Sequence, residues 1–133
     1  MTATVIIERG ADGTYGAYIA DGNLPFGAIG DGNTVAEAKA DFINSVNEMR
    51  EYYESEDKEF PDVQFEFKYD TASFLQQYAY AFTLAGLERI TGINQRQLSH
   101  YINGIRKPSK ATTEKIESRL HSFGNEIANV KFI

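Results

Sequence analysis

The chain has no cysteine and only two histidines among its 133 residues. The first absence excludes disulfides and thiolate metal sites, and His100 and His121 alone leave little for an imidazole-based metal centre. No stretch approaches the roughly 20 apolar residues of a membrane span. The opening MTATVIIERG also lacks the basic, apolar, small-residue order of a secretion signal, which gives the expectation of a cytoplasmic protein. No G-x-S-x-G elbow for an acyl-transfer nucleophile occurs, and Gly30-x-Gly32 has no third glycine at nucleotide-binding spacing.

What is present points to ordered globular structure. Hydrophobic residues make up 42% of the chain, with 8 Tyr and 9 Phe, and the length suits one domain or two small ones. The net charge of −6 would argue against a nucleic-acid partner if it were spread evenly. It is not. Residues 1–72 hold 15 acidic and 5 basic groups, a net −10, whereas residues 73–133 hold 8 basic and 4 acidic, a net +4. A basic half suits phosphates and an acidic half suits a basic partner.

In the first half, Thr4 to Glu8 reads as a strand that ends in the turn signal Gly10-Ala11-Asp12-Gly13, and Tyr15 to Ile19 completes a hairpin. A third strand is expected over Phe26 to Ile29, with Gly30 to Asn33 as the next turn. Thr34 and Glu37 then have capping-box spacing, and Val35, Ala38, Phe42, Val46, Met49 and Tyr53 recur at helical steps. Past an acidic loop, Val63, Phe65, Phe67 and Tyr69 alternate with Gln64, Glu66 and Lys68 at the period of a half-buried strand. A β-β-β-α-β order with one apolar helix stripe predicts a helix laid across a small antiparallel sheet, in a domain covering residues 1–70.

The second half, residues 71–133, predicts an all-α domain, so that the whole chain is α+β. A helix is expected from Ala72 to Phe82, with Phe74, Tyr78 and Phe82 as core. Leu84, Leu87 and Ile90 or Thr91 mark the next helix, which Gly92 ends. Asn94 caps a second helix, with Gln97 placed to close a capping box. Leu98, Ile102 and Ile105 form its inner face, and Gln95, Arg96, Ser99, His100 and Asn103 fall on the other side. Another helix is expected from Ala111 to Phe123, ended by Gly124, followed by a strand over Ile127 to Ile133. That strand would join the first sheet or pair with its copy in a second chain.

Gly92, Leu98, Ser99 and the ending Asn103-Gly104-x-Arg106-Lys107-Pro108-Ser109 resemble the helix-turn-helix of the Cro and lambda-repressor class. Glu88 departs from that pattern, standing where the class has a small residue. From Asp12 to Ala38, the run D-G-x-Y-x-A-Y-I-x-D-G-x-L-P-x-G-A-x-x-x-G-x-T-V-x-E-A is similar to the amino-terminal domain of HicB-like antitoxins. Together the two resemblances span nearly the whole chain. They imply a first domain, likened to a truncated ribonuclease-H sheet, that blocks a HicA-type toxin cleaving messenger RNA. They imply a second domain that binds the operator of the toxin and antitoxin genes.

The residue chemistry gives candidate sites. For operator DNA these are Gln95, Arg96, Ser99 and His100 toward base edges, with Asn103, Arg106 and Lys107 toward phosphates or at the helix end. His100 has the alternative of packing beside Tyr101. For the toxin protein they are Asp21, Asn23, Leu24 and Phe26, where Leu24 and Phe26 have the equal alternative of closing the small core. Glu8, Asp12, Asp21 and Asp31 lie near strand ends where carboxylates can hold Mg2+, but Asp12, Asp21 and Asp31 each precede glycine and read as turn residues. The expectation is a non-enzymatic antitoxin and autorepressor, without metal or cofactor. Because one helix-turn-helix offers few contacts, a homodimer is expected. The alternative is a free-standing transcription regulator with a small-molecule-sensing first domain, and an enzyme ranks third.

Overall fold

Strands β1 (Thr2–Arg9), β2 (Tyr15–Ile19) and β3 (Ile29–Gly32) precede helix α1 (Val35–Ser55) and strand β4 (Gln64–Tyr69) in a computed structural model that describes all 133 residues. Four further helices follow, α2 (Thr71–Gln77), α3 (Leu84–Thr91), α4 (Gln95–Ile102) and α5 (Lys110–Ala128). The chain divides into two compact units, Met1–Asp70 and Thr71–Ile133. No helix is long and apolar enough to cross a membrane.

In the first unit the sheet runs β3-β2-β1-β4. The β1/β2 turn is tied by the Gly10 N–H to the Thr14 carbonyl at 2.7 Å, and Gly13 takes the left-handed conformation at φ 84°. Asp12 accepts from both the backbone and the hydroxyl of Thr14, at 3.0 and 2.7 Å, so it is a turn residue. Alternation puts Ala3, Val5 and Ile7 on one face and Thr4, Ile6 and Glu8 on the other. Over the first face lies α1, opened by a complete Thr34/Glu37 capping box. It buries Val35, Ala38, Phe42 and Val46, and the Phe42 ring meets Phe65 and Phe67 edge-on at 5.1 and 5.7 Å.

Two expectations for this unit are corrected. The sheet is mixed, because β4 pairs with β1 in parallel. β3 runs antiparallel to β2 and so along β1, and a long helix between β3 and β4 returns the chain to the same end of the sheet, as crossover connections do. The third strand is Ile29–Gly32, not Phe26–Ile29. Gly30 and Gly32 are strand residues there: a Cβ at Gly30 would meet the Ala38 carbonyl and Phe42 backbone, and one at Gly32 would lie 2.7 Å from the Ala38 nitrogen. Glycine here permits close helix packing, where the sequence pattern alone suggests a turn. Phe26 sits in the preceding loop, its ring stacked at 4.8 Å on Phe60.

In the second unit the core is Leu75, Leu87, Leu98, Tyr101 and Ile116, with Phe74, Phe82, Leu84, Ile93, Ile102 and Leu120 packed around it. α2 stops at Gln77 rather than Phe82. Thr83 is the N-cap of α3, with extended backbone and its hydroxyl accepting from the Gly86 N–H at 2.9 Å, so the chain must leave helical geometry before it. At the other end, α5 runs through Gly124 to Ala128, and residues 130–133 have no regular structure. The strand expected over Ile127 to Ile133 does not form. A glycine costs a helix interior only about 1 kcal/mol relative to alanine, too little to stop a helix already opened by the Ser109 cap. Asn129 then closes α5, its side-chain N–H reaching the Asn125 carbonyl at 2.8 Å.

Candidate nucleic-acid interface

Helices α3 and α4 are joined by a turn of three residues, Gly92, Ile93 and Asn94. Gly92 adopts φ 75°, which an L side chain resists, and its N–H returns to the Glu88 carbonyl at 2.8 Å. Thr91, fully buried, donates its hydroxyl to the Leu87 carbonyl at 2.7 Å and accepts the Ile93 N–H at 3.2 Å. One hydroxyl thus fixes both the end of α3 and the path of the turn. Of the two residues the sequence left open for this face, Thr91 is the buried one and Ile90 is half-buried.

The Asn94 side chain accepts from the Gln97 N–H at 2.9 Å, giving α4 its N-cap. The reciprocal half of the expected capping box is missing: the Gln97 side-chain oxygen is buried without a hydrogen-bond partner. Glu88 serves the helix end instead. Its carboxylate, half-buried on α3, accepts the Gln95 backbone N–H at 3.2 Å and the Gln95 side-chain N–H at 3.4 Å. A carboxylate at a helix N-terminus is favoured by the unpaired amides there. The residue that departs from the repressor pattern therefore ties the two helices together.

Leu98 and Tyr101 point inward from α4. Ile102 is half-buried, whereas Ile105, expected on the inner face, is 69% exposed. The helix ends at Ile102, and Gly104 at φ 72° turns the chain before the periodic pattern reaches Ile105. Gln95 and Arg96 are exposed at the tip of α4, Ser99 and His100 are half-buried one turn on, and Asn103 is exposed at the C-cap. Helical spacing puts Gln95, Ser99 and Asn103 in one row and Arg96 and His100 in the next. Within the first row Asn103 donates to the Ser99 hydroxyl at 3.2 Å. Arg106 and Lys107 are exposed in the loop before α5, which is held to α4 by the Ile105 and Arg106 N–H groups on the His100 carbonyl at 2.9 and 3.3 Å. No family of known proteins, curated protein or solved structure matches the chain. The chemistry of this surface must be read from its own groups: exposed amides and a guanidinium at a helix tip, with two further cations in the adjoining loop.

In the first unit, the residues expected at a protein interface divide. Asp21 accepts the Thr4 N–H at 3.0 Å and Asn23 is exposed, while Leu24 is half-buried. Phe26 is buried at 8% exposure between Phe60 and Tyr53, which closes the core at that end. Sequence reading missed the sheet face opposite α1. There Ile29 is 66% exposed and Tyr18 38%, in the cross-strand row Ile29-Tyr18-Ile6-Lys68. Beside that row an open groove of about 410 Å³ is lined by Glu8, Arg9, Thr14, Gly16, Tyr18 and Asp31. Desolvation pushes the Tyr18 phenol above the ordinary tyrosine range, and the Glu8 carboxylate, hydrogen-bonded to it, adds to the shift. The outward positions of a period-two pattern, Ile6, Glu8 and Tyr18, were the available signal for this face.

Proposed function

We propose that the chain is an antitoxin and autorepressor of the HicB-like kind, acting without catalysis of its own. The observation that carries this reading is the α3-turn-α4 arrangement, a helix pair with polar and cationic groups at the tip of its second member. Gln95, Arg96, Ser99 and His100 are assigned to base edges in the major groove, and Asn103, Arg106 and Lys107 to phosphates or the helix end. A net +4 in residues 73–133 favours DNA, and a net −10 in residues 1–72 favours a basic partner, as a toxin that grips RNA must be. Asp21, Asn23 and Leu24 are assigned to that partner. Two copies of the chain, each reading one half-site, supply the affinity that one helix pair lacks.

The groove between Glu8, Tyr18 and Asp31 supports a second reading, a regulator whose first unit binds a small molecule, since about 410 Å³ falls within the size range of ligand pockets. Its openness and polar lining make it the lesser reading. Binding of the purified chain to duplex DNA from upstream of its own gene, with and without the product of the neighbouring reading frame, separates the two. The antitoxin reading expects sequence-specific binding and a stable complex with a small basic protein. Specific DNA binding without such a partner favours the regulator, and no specific binding overturns both.

A further inference from the structure

We infer that Glu88 is a specificity-determining residue, which sets the base preference of Gln95 by holding its side-chain amide in one orientation. The inference rests on the DNA-binding reading above. An ionised carboxylate only accepts hydrogen bonds, whereas a glutamine amide carries an acceptor oxygen and a donor nitrogen on opposite sides. Glu88 grips Gln95 twice, at the backbone N–H at 3.2 Å and at Nε2 at 3.4 Å. The first bond fixes where the side chain starts, and the second requires that Nε2, not Oε1, face the carboxylate. Oε1 is then turned away from Glu88, with one Nε2 proton still uncommitted. One acceptor and one donor in that order match the N6 and N7 edge of adenine, which a glutamine reads with two hydrogen bonds. The flipped amide would set two acceptors against each other, so the carboxylate excludes it.

Asn94 accepts the Gln97 N–H, so the bond from Glu88 to the Gln95 N–H adds to an N-cap already present, and the bond to the side-chain amide lies beyond capping. Glu88 also adds a negative charge at the tip of the helix assigned to DNA, which works against phosphate attraction. Its contribution is therefore directional, and its neutral isostere separates direction from shape. Glutamine at position 88 keeps the length and can still bond Gln95, but it can donate or accept, so both amide orientations become available.

The test is selection of binding sites from random duplexes by the full chain, its Gln95→Ala, Glu88→Gln and Glu88→Ala variants, with thermal unfolding of each. Gln95→Ala identifies the operator position that Gln95 reads. At that position the wild type is expected to prefer adenine by about tenfold, as one well-placed pair of hydrogen bonds provides. Glu88→Gln should flatten that preference severalfold with other positions unchanged, and a small fall in unfolding temperature accompanies the lost charge at the helix N-terminus. Glu88→Ala should flatten it too. A Glu88→Gln variant that keeps the full adenine preference overturns the inference while leaving the DNA-binding reading intact. A wild-type chain that selects no sequence overturns both.

Discussion

A Cβ placed on Gly30 would come within 2.8 Å of the Cα of Phe42, so this point of β3 lies directly against the backbone of α1. The same side of the strand also meets the Ala38 carbonyl. Neither neighbour is a movable side-chain tip. Gly30→Ala therefore forces helix and sheet apart and should destabilise the first unit by about 1–3 kcal/mol. Gly22→Ala and Gly27→Ala, where nothing lies within 4 Å, should stay within about 0.5 kcal/mol of the wild type. Denaturant unfolding of the three variants checks this, and equal stability for Gly30→Ala would mean that α1 packs less closely.

Much of this first unit is legible from local pattern. The Thr34/Glu37 box and the alternation of Phe65, Phe67 and Tyr69 define their elements because each depends on neighbours a few residues away. The position of β3 is not legible, since glycines needed for packing look like glycines needed for turning. Nor is the direction of β4, which a long connection sets and no residue within the strand records. At the C-terminus, Ile127 to Val130 is a helical step and Val130 to Phe132 a strand step. The continuing hydrogen bonds of α5 decide that ambiguity for the first residues of the segment. In the candidate DNA surface, Gly92 and Asn94 follow from sequence, but the bond from Glu88 to Gln95 crosses a turn and has no sequence signature.

Asn94→Ala removes the acceptor for the Gln97 N–H. The second unit should lose about 1 kcal/mol of stability, the usual cost of a lost N-cap. Serine at the same position should restore most of it. Thermal unfolding of both variants measures the pair, and an unchanged alanine variant would show that Glu88 alone secures the helix start.

The shift at Tyr18 has a definite sign. A raised pKa means that the folded chain holds the phenolic proton more tightly than the unfolded chain does. Its contribution to stability is complete below the ordinary tyrosine value of about 10 and is lost as the pH rises through the folded value. Glu8→Gln removes the nearby charge and should lower the phenol's titration midpoint, though not fully, because desolvation is the larger cause. NMR of ring-labelled tyrosine, which separates Tyr18 from the other tyrosines of the chain, reads this. A midpoint unmoved by Glu8→Gln would separate the two groups.

Asp12 behaves in the opposite sense. Its pKa is lowered first by the Thr14 hydroxyl and then by the Thr14 backbone N–H. Its contribution is present above the ordinary carboxylate value and disappears as the pH falls through the lower folded value. Thr14→Ala should move the Asp12 carboxyl titration, followed by NMR, back toward the ordinary value. A titration that does not move would assign the shift to the backbone donor.

Arg96 and Lys107 are assigned different tasks on DNA. Arg96→Ala should cost about 1–3 kcal/mol on the preferred site and relax specificity at one position, whereas Lys107→Ala should weaken binding to every sequence and reduce the salt slope by about 1. Affinities measured across a salt series on specific and random duplexes distinguish them. Equal losses on all sequences for Arg96→Ala would move it to the phosphate-binding group.

The central claim is that the chain is the inhibitor of a toxin ribonuclease. Its most direct test is an RNA-cleavage assay on the product of the neighbouring reading frame, purified alone and then with the full chain added at equal concentration. The neighbour is expected to cleave RNA when alone, to co-purify with the chain and to be silenced by it, with Asp21→Lys weakening the inhibition. A neighbour that cleaves no RNA, or that cleaves at full rate with the chain present, would contradict it.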